Sequence, residues 1–152
     1  MTLEIEKLLD ETGWRLLQAL QENARLSYTE LGQRVGLSSP AVTERIRRME
    51  EAGIITGYHA EVDLAKLGLA VLAIIHIDKI GGRSCDHIAM EVMQIPEVLE
   101  CLRVTGTDSI IVKVGAASVD QLSKVIDQLS GYGIPTTSLI RATPTKRHIT
   151  PR

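Results

Sequence analysis

"SYTELGQRVGLSSPAVTERIRRMEEAGII", residues 27–55, contains two helix starts, a glycine stop between them and a knot of arginines at Arg45, Arg47 and Arg48, in a chain whose formal net charge is -2. Ser27 and Glu30 have the S-x-x-E spacing of a capping box, and Leu31 and Val35 form an apolar i,i+4 pair behind it. Gly36 suits a left-handed stop, so this first helix is short. Ser38 or Ser39 caps the next helix, and Pro40 fits only a first turn. Val42, Ile46 and Met49 then recur at i, i+4 and i+7, and Gly53 ends the helix. Two helices joined by so few residues have the helix-turn-helix pattern.

The preceding segment, "LDETGWRLLQALQENAR" (9–25), places Leu16, Leu17, Leu20 and Ala24 at helical spacing, with Asp10 able to accept the free amides at its start. It completes a three-helix N-terminal module. After it, "IITGYHAEVDL" (54–64) alternates like a short extended ribbon with Gly57 as a turn or bulge, the addition expected of a winged variant. "DLAKLG" (63–68) reads as a brief helical turn or linker that joins the halves fairly stiffly. The domain expectation is a helix-turn-helix unit with a short ribbon over 1–62, a linker over 63–68, and a second domain over 69–152.

The second half changes rhythm. "LAVLAIIHID" (69–78) is a β-branched run read as a strand, and "SCDHIAMEVMQ" (84–94) places Ile88, Met90, Val92 and Met93 on a helix that ends before Pro96. "VLECLRVT" and "SIIVKVGA" alternate on either side of "GTD", which predicts a hairpin. "SVDQLSKVIDQLSGYG" (118–133) carries Val119, Leu122, Val125, Ile126 and Leu129 at helical spacing, with Ser118 as cap and Gly131 as stop. "TTSLIRAT" (136–143) supplies a last strand. The order is βαββαβ, the ferredoxin-like split βαβ, so the fold class is α+β: a winged helix-turn-helix followed by a ferredoxin-like domain. Two helices cover one face of such a sheet; the other face needs a partner, which predicts at least a homodimer.

Composition narrows the classes further. Hydrophobic residues at 44% and charged residues at 24% are ordinary for a folded globular chain. The longest apolar run, "LGLAVLAIIHI", is shorter than the roughly 18 residues of a membrane span, and "MTLEIEKLLDE" is acidic where a secretory leader is basic; the expectation is a cytoplasmic protein with no membrane partner. Cys85 and Cys101 are too few for a disulfide framework. His59, His76, His87 and His148 are scattered without metal-ligand spacing, no Ser/His/Asp or paired-carboxylate arrangement stands out, and neither a catalytic residue, a metal nor a cofactor is expected.

The arginines need a different account. Glu44, Glu50 and Glu51 neighbour them, as on any solvated helix face. Yet with Val42, Ile46 and Met49 packed inward, Thr43, Glu44, Arg47 and Arg48 point away from the core beside a helix start at Ser38, Ser39 and Pro40. That face fits a major groove, where a bidentate arginine on guanine discriminates by roughly 1–3 kcal/mol. Arg45 lies nearer the inward stripe and either braces the fold or bonds a phosphate at the edge. The net acidic balance is no obstacle, because binding follows the local patch.

From "LDETGWRLLQALQENAR" through "LSSPAVTERIRRMEEAGII", followed by "GY", to the C-terminal βαββαβ pattern, the chain resembles the leucine-responsive and asparagine-type regulators, the feast/famine transcription factors. The resemblance implies double-stranded DNA as a partner, a C-terminal domain that senses a small-molecule effector, commonly an amino acid, and dimers that assemble into octamers. It also implies an effector site near the turn joining the second and third strands, which matches Thr105, Gly106, Thr107 and Asp108. Gly106 permits close approach, backbone amides can receive a carboxylate and Asp108 can pair with an ammonium group, although a hairpin turn also calls for Gly and Asp. The loop is one residue shorter than the family's usual pattern, with Ser109 where an aromatic often stands. Thr136, Thr137 and Ser138 could add hydroxyls to the pocket. The same framework resembles sirohaem decarboxylases, an enzyme alternative that calls for a tetrapyrrole pocket with histidine and basic residues. A regulatory partner protein without DNA binding is the third reading, against which the exposed arginines argue.

Overall fold

The computed structural model describes residues 3–79, 81–106, 109–141 and 149–150. The chain divides into two compact units, one running to Ala60 and including Ile149, the other beginning at Glu61. The described part of the first unit holds α1 (Leu3–Leu8), α2 (Glu11–Glu22), α3 (Tyr28–Val35) and α4 (Ser39–Glu51). Three of the four begin where the capping residues predict. Asp10 accepts from the Gly13 amide at 2.8 Å, and Ser38 caps α4. Ser27 accepts from the Glu30 amide at 3.2 Å while the Glu30 carboxylate accepts from the Ser27 amide at 2.7 Å, a complete capping box. The Ser27 hydroxyl, which donates to the Glu30 carboxylate at 2.7 Å, and the Ser27 amide together pull the Glu30 carboxyl below its ordinary range. Ser27→Ala is expected to destabilise this unit by about 1 kcal/mol, read as an earlier denaturation midpoint of Trp14 fluorescence. A shift below about a quarter of that would contradict the cap's role.

The turn between α3 and α4 is built on two glycines. Gly36 sits at φ 74°, in the left-handed region. At Gly32 a Cβ would stand 2.4 Å from the Leu37 carbonyl oxygen, so only glycine lets the turn fold back this tightly. The apolar stripes of α2, α3 and α4 then meet in one core of Leu16, Ala19, Leu31, Val35, Val42 and Ile46.

Two features of this unit differ from expectation. α1 precedes the first predicted helix. And no strand forms over 54–64, a segment that runs on into the second unit: these residues are mostly exposed, and no described strand pairs with them. The expected β ribbon is thus corrected to an irregular segment. The expected helical turn at 63–68 is present, with the Asp63 carboxylate accepting from the Ala65 amide at 3.1 Å.

In the second unit, β1 (Val71–Lys79), α5 (Cys85–Val92), β2 (Val98–Arg103), β3 (Ile110–Ala116), α6 (Val119–Leu129) and β4 (Gly133–Leu139) follow the βαββαβ order. The antiparallel sheet runs β2-β3-β1-β4, which places β3 and β1 at its centre. Alternation along β1 and β3 sends Ala73, Ile75, Ile77, Ile110, Val112 and Val114 under the helices, against Ile88, Val92, Leu122, Val125 and Leu129. Met90, at 62% exposure, and Met93 fall outside that core. β4 starts three residues before the predicted strand and includes Pro135, which an edge strand tolerates because one row of its amides has no partner to serve. The uncovered face presents Leu72, Ile74 and Ile111, half-buried, beside His76, Lys113, Thr136 and Ser138. Among the described residues, no helix is long and apolar enough to cross a membrane.

Candidate nucleic-acid interface

The two sides of α4 are sharply different. Val42, Ile46 and Met49 are sealed in the core, while Thr43, Glu44, Arg47 and Arg48 are exposed. Ser38 and Pro40 are exposed at its start and Ser39 is half-buried. In the first turn Pro40 has no N–H, and the Ala41 and Val42 amides donate to the Ser38 hydroxyl and carbonyl, which leaves the Ser39 amide to meet an anion. Thr43 Oγ1 donates to the Ser39 carbonyl at 2.9 Å, which fixes the hydroxyl and leaves its lone pairs available as acceptors.

Arg47 lies between two carboxylates of its own helix. Its Nε and Nη2 donate to the two Glu44 oxygens at 3.0 and 2.7 Å, and its Nη1 pairs with Glu51. The hydrogen bond from Arg47 holds the Glu44 carboxyl below its ordinary range. Exposed pairs at i,i+3 and i,i+4 are weak, so a phosphate or guanine edge can displace either carboxylate. Arg48 is exposed one residue further on, in the last turn.

Arg45 points elsewhere. Its side chain is only 22% exposed and pairs with Asp10, 35 residues away in sequence, while Nη2 also reaches the Lys7 and Leu8 carbonyls at 3.4 Å. Of the two sequence readings of Arg45, these contacts fit the brace. Beside it, a cleft of about 320 Å³ opens between Lys7 and Leu8 of α1 and Ala41, Glu44, Arg45 and Arg48 of α4.

Tyr58 is a residue of this region that the sequence reading misses. Its hydroxyl donates to Glu50 at 2.8 Å, tying the segment after α4 back to the helix, and burial together with that carboxylate pushes its pKa up to about 12. Local patterning signals neither this contact nor that of Arg45, since both depend on where the chain returns. The "GY" following the arginine block is the nearest sequence sign of Tyr58.

At the second candidate site, Thr105 and Gly106 are exposed in the turn after β2, with Gly106 at φ 129°. Thr107 and Asp108 lie outside the described residues. The strand hydroxyls do not act as one group: Thr136 and Ser138 pair in register with His76 and Ile74 on the uncovered face, whereas Thr137 pairs with Ile75 on the helix-covered face. Thr137 is therefore corrected out of any pocket that Thr136 and Ser138 share. The turn stands at the sheet end where the Ser109 amide meets the Ile77 carbonyl at 3.1 Å. β4 is two strands away from it, roughly 10 Å.

Among the described residues no cluster of three or more His, Cys, Asp or Glu side chains is arranged to hold a metal. His87 pairs with Glu91 on its own helix at 2.9 Å, His59 is exposed, His76 is half-buried in β1, and His148 lies outside the described residues. Cys85 and Cys101 are both free thiols, and burial pushes the Cys101 thiol up.

A helix-turn-helix whose second helix leaves Thr43, Glu44, Arg47 and Arg48 exposed, carried on the same chain as a βαββαβ unit, is the architecture of a DNA-binding protein with a second, separate module. Residues 9–56 match the family model for winged helix-turn-helix DNA-binding, and residues 71–147 match that for the Lrp/AsnC ligand binding domain. The uncharacterized HTH-type transcriptional regulator YezC of Bacillus subtilis (strain 168) is 41% identical over 132 residues, spanning 87% of this chain and 93% of that one. The solved structure of B. subtilis LrpC superimposes with a TM-score of 0.85 at 31% identity, covering 91% of this chain and 99% of the other. The feast or famine regulatory protein from M. tuberculosis, solved in complex with L-methionine, gives 0.87 at 27% identity, covering 94% and 99%. The chain belongs to the Lrp/AsnC family of transcriptional regulators. It is a regulator and not an enzyme, and the sirohaem decarboxylase alternative finds no support among these relatives.

Proposed function

We propose that α4 is the recognition helix, reading a major groove with Thr43, Glu44, Arg47 and Arg48 while the Ser38 and Ser39 hydroxyls and the Ser39 amide hold a phosphate. The observation that carries this is the division of α4 into a sealed apolar side and an uncovered polar one. Glutamate suits the role as well as arginine, since it accepts from cytosine N4. The protein acts as a homodimer, and dimers associate further toward an octamer. The partly apolar uncovered sheet face supports the dimer, because an exposed patch of this kind seeks a partner. A two-fold dimer reads two half-sites roughly 34 Å apart or at a multiple of that spacing. The working place is the cytoplasm.

The second unit receives an amino acid at the turn of Thr105, Gly106, Thr107 and Asp108. The support is chemical: Gly106 opens backbone to a carboxylate, Asp108 offers a counter-charge for an ammonium, and the similar M. tuberculosis protein was solved with L-methionine. Thr136 and Ser138 remain available to an effector that extends across the sheet.

Incubation with a random-sequence duplex pool, followed by sequencing of the retained fragments, should return two half-sites related by two-fold symmetry. Retention without any common sequence would remove the recognition role of α4. For the effector, titration with each proteinogenic amino acid should shift sedimentation or DNA affinity, and Asp108→Ala should abolish the shift. Indifference to every one of them would leave the loop as a bare turn.

A further inference from the structure

Three helices of the first unit converge on one guanidinium. The Lys7 and Leu8 carbonyls that accept from Arg45 lie at the end of α1, where the last carbonyls lack helical partners and carry the negative end of the helix dipole. The Asp10 oxygen that pairs with Arg45 is also the one that caps α2 through the Gly13 amide. A single carboxylate oxygen therefore joins the start of α2 to the middle of α4. The corner has no slack: a Cβ on Gly13 would stand 1.9 Å from the Leu8 carbonyl oxygen, so the end of α1 rests directly on the α2 backbone. Arg45 Nε is buried with no hydrogen-bond partner among the described residues, so this part of the side chain lies inside the corner. Desolvation acts to raise the Asp10 carboxyl, but the Gly13 amide and Arg45 outweigh it and hold it below its ordinary range.

We infer that Asp10 and Arg45 form a brace that fixes the roll of α4 about its axis, making Arg45 a positioning residue for base recognition that does not itself touch DNA. The inference rests on α4 being the recognition helix. Roll matters because side-chain ends lie roughly 6 Å from a helix axis, where a roll of about 20° moves them by about 2 Å. Hydrogen bonds to base edges tolerate only a few tenths of an ångström.

Asp10→Asn separates the brace from the cap. Asparagine caps a helix as well as aspartate does, but it no longer presents a charge to Arg45. Electrostatics alone gives the opposite expectation, since removing a negative charge should tighten binding to DNA. The test uses the full chain, fluorescence anisotropy with a duplex selected by the wild-type protein and with a scrambled duplex, and a potassium chloride series. The brace predicts that Asp10→Asn and Arg45→Gln each lower the selected-to-scrambled affinity ratio by about tenfold, the worth of one base contact. It also predicts an unchanged salt slope and a double variant no worse than the poorer single one. The melting of helical circular dichroism should show both single variants folded at the assay temperature. If Asp10→Asn binds the selected duplex as tightly as the wild type, or more tightly, the brace is overturned. The same follows if Arg45→Gln keeps the ratio while the slope falls by about 0.9, the mark of one phosphate no longer neutralised. Failure of the wild-type protein to select any duplex would instead overturn the recognition role of α4, and the brace with it.

Discussion

Leu31→Ala is expected to lower the unfolding midpoint of the N-terminal unit by roughly 10 to 30 °C. Leu31 has no exposed surface and lies in the core cluster between α2 and α4, so its truncation loosens both neighbours together. Deleting a buried leucine to alanine costs about 2–5 kcal/mol, the upper end where the surroundings cannot collapse into the space. A unit of this size has roughly 3–9 kcal/mol in all, so the loss is a large share of the total. Relaxation is restricted because Gly32, the next residue, already packs against the Leu37 carbonyl. Trp14, the sole tryptophan, sits on α2 and makes the transition visible by fluorescence. A midpoint within about 2 °C of the wild type would mean that the three helices do not share this core.

Removing Arg47 and Arg48 together is expected to reduce affinity for a selected operator by about a hundredfold or more, and to abolish preference over scrambled DNA. The two cations make different contributions. Arg47 must leave Glu44 and Glu51 before it meets DNA, and its alanine variant leaves two carboxylates uncompensated on the same face. Part of its effect is therefore repulsion, which makes Arg47→Ala/Glu51→Gln bind better than Arg47→Ala alone. Arg48→Ala leaves both Arg47 pairs in place but removes a charge that also acts on Glu44. Where either arginine holds a phosphate, the salt slope becomes shallower by about 0.9 for each phosphate released. Anisotropy across a salt series measures both quantities. A double variant with wild-type affinity and slope would contradict any role for this face.

Much of this architecture is legible in the sequence because it is written locally. Asp10, Ser27 and Ser38 announce their helices, Gly36 the turn, and the two periodicities of the second half give the order of its strands and helices. What escapes has a common physical cause: it depends on partners distant in the chain. Six residues of α1 carry too little periodicity to be seen, and their significance comes from Leu8 resting on Gly13. The segment after Gly53 alternates like a strand, but alternation does not supply a neighbour to pair with. Arg45 sits beside Arg47 and Arg48 in sequence, yet a rotation of about 100° per residue turns it to Asp10, a residue read only as a cap. At the effector candidates, adjacency misleads in the opposite sense, because strand pleating parts Thr137 from Thr136 and Ser138.

Contact between the uncovered side of α4 and base edges is tested most directly by a photo-crosslinking amino acid at position 43, with a control at Ser123 on the exposed side of α6. Position 43 should capture bases within the selected half-sites and position 123 none, and the capture should disappear when scrambled duplex replaces the operator. Capture confined to position 123, or no capture at position 43 under conditions where the protein is bound, would contradict α4 as the reading helix.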